Sequence, residues 1–150
     1  MADYDAIRTL MPQLVPFVKT LGLEYLELDD QRAVLRLDDS AEFHNHVGGP
    51  HAGAIFTLAE SASGAVVLAA FEDLLTSVTP LAASAQIRYT KLALGPVTAE
   101  AVLGRPAAQV RVELAETGKT VQFPVEVTMR NADGLETANM TIQWALRPNR

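Results

Sequence analysis

The segment His51–Phe71, HAGAIFTLAESASGAVVLAAF, constrains this chain more than any other. It is about twenty residues long, rich in alanine and apolar on most sides, and Gly48-Gly49-Pro50 stands in front of it. Proline just before an apolar run is a helix-start signal, because its fixed φ suits a first turn. A helix that is apolar all round has to be wrapped, by other structure or by lipid. Thr57, Glu60, Ser61 and Ser63 make this one too polar in the middle for a good membrane span. The reading is a buried helix, and the rest of the chain must supply its cover.

That cover is written as strands. Before the helix, Leu23–Leu28 and Ala33–Leu37 are two apolar runs separated by Asp29-Asp30-Gln31, and the second alternates like a half-buried hairpin arm. After Asp73 alternation takes over. Ala85, Ile87 and Tyr89 form one set, Val97, Ala99, Ala101 and Leu103 a second, and Val110, Val112 and Leu114 read as a third. Phe123, Val125, Val127 and Met129 precede the hairpin signal Asp133-Gly134, and Ala138, Met140, Ile142, Trp144 and Leu146 share one face of a last strand. Short connections imply antiparallel neighbours, and one polar face per strand implies a sheet covered on one side. The expected fold is α+β, a long antiparallel sheet curled around one central helix.

At the start, Ile7, Leu10, Leu14, Phe17 and Leu21 recur at helical intervals. Pro12 and Pro16 interrupt them, which predicts two short helical pieces with a bend, ending near Gly22. With 150 residues the chain reads as a single domain over 1–150, residues 1–22 being its N-terminal helical segment. A formal charge of −6 makes a poor nucleic-acid binder. The absence of cysteine removes disulfides, thiolate metal sites and a cysteine nucleophile, and fits a reducing cytoplasm. MADYDAIRTL carries acids where an export signal would carry bases. No membrane association is expected.

Chemistry points to the central helix. Between Phe43 and Phe71 the one formally charged residue is Glu60, with Thr57, Ser61 and Gly64 close by as small or hydroxylated company that leaves room for a ligand. A carboxylate in alanine-rich surroundings is paired, open to a cleft, or raised in pKa. At the helix entrance, Pro50-His51-Ala52-Gly53 lacks bulk, and a first helical turn presents unpaired N–H groups and the positive end of the dipole. Such a turn can serve as an oxyanion hole. The plainer reading of the glycines is a tight loop, and of His51 a backbone cap. His44, His46 and His51 with Glu42 do not complete a zinc pattern, so no metal is expected.

The stretch Asn45-His46-Val47-Gly48-Gly49-Pro50-His51-Ala52-Gly53 through Glu60 to Val66 resembles the active-site region of hotdog-fold acyl-CoA thioesterases, particularly the PaaI-like group. There, a loop Asn or Gln precedes a His-Gly-Gly motif at the helix start, and an acid follows nine residues after the His. Here Asn45 lies six before His51, and Glu60 nine after it. The resemblance implies catalytic roles for Glu60, as nucleophile or general base, for the Ala52 N–H, as oxyanion donor, and for Asn45, in positioning carbonyl or water. His51, Gly53 and Ser61 would line the substrate, and no cofactor would be needed. Two departures stand out. Ala52 replaces a glycine, which keeps the N–H but adds a methyl, and Gly64 and Ala82 occupy places where some relatives carry a hydroxyl.

The resemblance further implies a homodimer or a tetramer built as a dimer of dimers. Two other readings remain open beside hydrolysis. One is a hotdog-type enoyl-CoA hydratase or dehydratase in which His51 is catalytic, and the other a non-catalytic acyl-CoA-binding domain. Arg88, Lys91, Arg105, Arg111 and Lys119 could meet CoA phosphates, but each reads first as a solvated strand end.

Overall fold

Pro16 divides the N-terminal segment in the computed structural model, which describes residues 3–150. Helix α1 (Tyr4–Leu14) is capped by Asp3, whose Oδ1 accepts from the Ala6 N–H at 3.0 Å. Val15, pushed out of the helical region by the proline after it, is extended, and α2 (Pro16–Leu21) restarts with Pro16 in its first turn. It stops at Gly22, whose φ of 63° is the left-handed cap that glycine adopts without strain. The break shifts the helical phase. Val18 and Leu21 are buried, whereas Leu10, Leu14 and Phe17 of the expected apolar face stay 48%, 62% and 55% exposed. Residues 1 and 2 of the expected segment lie outside the described residues.

Six strands follow: β1 (Glu24–Leu28), β2 (Arg32–Leu37), β3 (Val78–Tyr89), β4 (Val97–Leu103), β5 (Val121–Asn131) and β6 (Glu136–Pro148). They form one antiparallel sheet in the order β1-β2-β4-β5-β6-β3. The first hairpin turns where Asp29 Oδ1 accepts from the N–H groups of Gln31 and Arg32, both at 2.8 Å. The last turns at Asp133-Gly134, with Gly134 at φ 82°. Helix α3 (Ala52–Ala70) lies on the inner face, in contact with every strand.

Small side chains let the layers approach. Ala59, Ala62 and Ala65 of α3 are fully buried, as are Ala33, Ala99 and Ala101 of the sheet. Leu58, Val66, Val67, Met129, Met140 and Ile142 fill the remaining space. The 19-residue α3 is the one described helix long and apolar enough to cross a bilayer, and the sheet around it accounts for that composition. Its C-terminal end is closed by Phe71, whose ring meets Phe123 at 5.4 Å between centroids. Arg111 lies over Phe71, donates to the Ala70 carbonyl at 2.8 Å and pairs with Asp73. That hydrogen bond holds the Asp73 carboxyl below the usual range.

Arg111 belongs to an element that alternation misread. Residues 110–114 are not a strand: α4 (Ala107–Thr117) runs from Pro106 to a left-handed Gly118. Three alternating residues are too few to separate the two periods. Ala107, Val110 and Leu114 also recur at helical spacing and pack on the core, while Val112 points to solvent. The sheet ends in a long open edge. β3 pairs β6 on one side only, and Ala82–Gln86 are exposed along it.

Candidate active site

The loop before α3 is held by its own backbone and by Asn45. An isolated bridge joins His44 to Pro50, the Asn45 N–H donates to the Gly49 carbonyl at 2.7 Å, and the His51 N–H donates to Phe43 O at 2.7 Å. Asn45 Oδ1 accepts from the N–H groups of Val47 and Gly49, at 3.0 and 3.1 Å. Its Nδ2 makes one long bond to the Pro50 carbonyl, 3.4 Å, which leaves donor capacity for a ligand. The two glycines are there for different reasons. Gly48 adopts φ 78°, and Gly49 sits where a Cβ would collide with the Ala93 carbonyl oxygen. Gly49→Ala should cost about 1–3 kcal/mol by forcing two backbones apart, while Gly48→Asn, the side chain that best tolerates left-handed φ and that meets nothing within 4 Å there, should cost less. Thermal unfolding of the two variants checks this ordering.

Pro50 stands just outside the helix, and His51 is its N-cap: Nδ1 accepts from the Gly53 N–H at 2.8 Å. The ring therefore carries its proton on Nε2 when neutral. With Gly53 satisfied, and the N–H groups of Ala54 and Ile55 bonded to the His51 carbonyl, the Ala52 N–H has no partner among the described residues. From the far end of β3, Tyr89 Oη donates to the Ala52 carbonyl at 3.0 Å and fixes the first turn.

A pocket of about 360 Å³ opens here, lined by Asn45, Ala52, Tyr89, Lys91 and Leu92 among others. The structure thus joins Asn45 and Ala52 at one pocket. Glu60 does not line it. Eight residues along α3, about 12 Å at 1.5 Å per residue, separate it from Ala52.

Glu60 is half-buried on a partly exposed stripe of α3 with Phe56, Thr57, Gly64 and Leu68, which runs on from the exposed Gly53. Burial pushes its carboxyl above the ordinary carboxylate range. No donor among the described residues bonds the carboxylate. Its backbone is anchored: Ser63 Oγ donates to the Glu60 carbonyl at 2.6 Å and accepts from Trp144 Nε1 at 2.9 Å. Gly64 lets the Trp144 ring pack closely, since a Cβ there would stand 3.3 Å from it. Ser61 departs from the grouping expected with Thr57 and Gly64. Adjacent helical residues differ by about 100°, and Ser61 turns inward and is buried.

Sequence reasoning passed over two hydroxyls. Tyr89 is spent on the helix entrance. Tyr25 faces inward from β1 with its Oη buried and unpartnered. The available signal was a tyrosine at an inward strand position. Of the cations considered for phosphate, Arg105 pairs with Glu113 and Arg111 with Asp73, whereas Lys91 lines the pocket. His44 Nε2 lies 2.6 Å from Asp39 Oδ1, and no three metal-ligating side chains converge among the described residues.

A central helix wrapped by one antiparallel sheet is the hotdog fold, which the chain shares with proteins described as thioesterases and with PaaI. Similar in structure is a Pseudomonas aeruginosa protein described as a "Probable Thioesterase", 27% identical, with 99% of this chain and 97% of that one aligned at a TM-score of 0.86. The Escherichia coli PaaI protein from the phenylacetic acid degradation operon is 17% identical over 93% of this chain and 88% of its own, at 0.72. A Staphylococcus aureus thioesterase, solved as a mutant, is 18% identical over 89% of this chain and 100% of its own, at 0.70. No curated protein matches the sequence. Residues 4–146 match the model of the family described as "Domain of unknown function (DUF4442)", and the chain belongs to that family.

Proposed function

We propose that the protein hydrolyses acyl-CoA or a related acyl thioester. The observation that carries this reading is an unpartnered Ala52 N–H at the start of a helix whose middle bears a half-buried, hard-to-charge Glu60. The thioester carbonyl accepts from the Ala52 N–H, with Asn45 Nδ2 beside it. Glu60 takes a proton from water as the water attacks, or attacks the carbonyl itself and is released by water. The tetrahedral oxyanion stays on the Ala52 donor as the C–S bond breaks. The thiolate leaves as the thiol once it regains the proton. No cofactor enters.

One protomer holds these groups too far apart for a single carbonyl, which must lie about 3 Å from the donor. A second copy, antiparallel across a two-fold axis, would bring its Glu60 to this pocket and cover the half-exposed stripe of each copy. The open β3 edge offers a place for the two sheets to join. Dimers could pair again into tetramers. Lys91, which lines the pocket, suits the CoA phosphates, and a reducing cytoplasm suits the cysteine-free chain.

The commitment of His51 Nδ1 to the Gly53 N–H weighs against a hydratase built on that ring. A panel of short, long and aromatic acyl-CoA esters with a thiol-release readout tests the proposal. Release from at least one class, at a kcat within the ordinary enzyme range of about 1–10³ s⁻¹, is expected. Tight binding with no release across the panel would instead make the chain an acyl-CoA-binding domain.

A further inference from the structure

Tyr25 carries a hydroxyl for which the fold itself has no use. The residue is 7% exposed, and its Oη is fully enclosed with no hydrogen-bond partner among the described residues. Phenylalanine would fill the same space without an orphaned donor, so a tyrosine here points to a partner outside the packing. Tyr25 sits on the inward face of β1, opposite Leu35 of β2, and both strands contact α3. A bulge follows at once, because the register moves from Tyr25↔Leu35 to Glu27↔Val34. Bulges of this kind re-aim a strand's side chains and recur beside functional sites.

The charged group whose field reaches the Tyr25 hydroxyl is Glu60. Burial first, then that charge, pushes the phenol up to about 12. Tyr25 therefore keeps its proton at any working pH and meets a carboxylate only as a donor. The inward residues of β2, β4, β5 and β6 carry no titratable group. Tyr89 of β3 is bonded to the Ala52 carbonyl, and Arg111 of α4 is bonded at the far end of α3 to Ala70 and Asp73. Lys19, from α2, is exposed, and Arg8 of α1 donates to the Tyr25 backbone carbonyl at 2.8 Å.

We propose that Tyr25 is a positioning residue for Glu60, its inward-facing Oη donating a hydrogen bond to a carboxylate that reaches it by rotating about its own side-chain torsions. The assignment rests on the hydrolytic reading above. An O–H given to the carboxylate favours the charged form and so opposes the desolvation that disfavours it. It also holds one oxygen still and leaves the other for water or carbonyl. Tyr25 touches neither substrate nor water in this scheme; it acts through Glu60.

The test is Tyr25→Phe, which removes one oxygen and keeps the ring. With glutamate labelled at the carboxyl carbon, NMR titration follows Glu60, assigned by the signal lost in Glu60→Gln. In Tyr25→Phe the Glu60 midpoint should rise by about one pH unit, and the acidic limb of kcat/KM should move with it. Around neutral pH kcat should fall about tenfold, with KM unchanged and the thermal midpoint no lower than in the parent. A merely structural tyrosine would lower the thermal midpoint and leave the Glu60 titration in place. An identical Glu60 midpoint in both proteins overturns the pairing. A midpoint that rises while Glu60→Gln retains full hydrolysis upholds the pairing and overturns the hydrolytic role of Glu60 instead.

Discussion

Glu60→Gln is expected to lower kcat/KM for acyl-CoA hydrolysis by about 10²–10⁴-fold, the range that a positioned acid–base group contributes, and to leave the protein more stable at neutral pH. Both effects have one cause. Burial raises the Glu60 carboxyl above its unfolded value, because the charged form is poorly solvated in the fold. A group raised on folding contributes stability that is fully present below its unfolded pKa and is lost as pH rises through the folded one. At neutral pH the parent therefore carries the charge at a cost, and glutamine, nearly the same size and neutral, does not. The parent's thermal midpoint should fall as pH rises through the Glu60 titration, and the variant should lose that component. Activity should run the other way, rising across the same interval as the base becomes available. Its acidic limb should lie above the ordinary carboxylate range. Calorimetry and thiol release across pH on the two proteins check both slopes. A variant that hydrolyses as fast as the parent removes Glu60 from the chemistry.

Mixing two inactive variants should restore hydrolysis. Glu60→Gln lacks the carboxylate, and Ala52→Phe blocks the pocket in which the free N–H stands. If each site takes Glu60 from one copy and Ala52 from the other, a mixed dimer holds one intact site and one doubly damaged site. Random exchange at equal concentrations makes half of all dimers mixed, so activity should return to about a quarter of the parent value. The structure motivates the test because Asn45 and Ala52 share a pocket that Glu60 does not line. The half-buried stripe bearing Glu60 and the open β3 edge give a second copy somewhere to lie. Stable mixed dimers with no recovered hydrolysis would overturn the shared site, and full activity in a dilute monomer would do so as well.

Several elements could be read from local pattern alone. The strands β4, β5 and β6 each repeat one period over seven residues or more, and α3 is marked by its long alanine-rich apolar run behind Gly48-Gly49-Pro50. Such repeats are intrinsic to a segment, since they record which face it can bury. The stop at Gly22 and the hairpin at Asp133-Gly134 depend on φ angles that few residue types adopt, so they too are local. The spacing of Asn45, His51 and Glu60 carried the likeness to hotdog thioesterases, and the antiparallel sheet around one helix agrees with it.

Other features depend on contacts between distant segments. Residues 110–114 satisfied a strand period as well as a helical one, and docking on Phe71 and Asp73 accompanies the helix that formed. That Ala52 keeps the free N–H follows from the His51 ring turning back onto Gly53, a choice of rotamer that no spacing encodes. Ser61 and Glu60 are neighbours in the chain, yet only the packing of α3 on the sheet turned one inward and left the other half open. Tyr25 came within reach of the Glu60 charge because β1 and α3 fold together across an intervening hairpin and loop. Period and turn chemistry are short-range properties of the chain, so the sequence determined which segments are helix, strand and turn over most of its length; which groups stay unsatisfied or uncovered depends on what other segments fail to reach, and only the tertiary structure decided that.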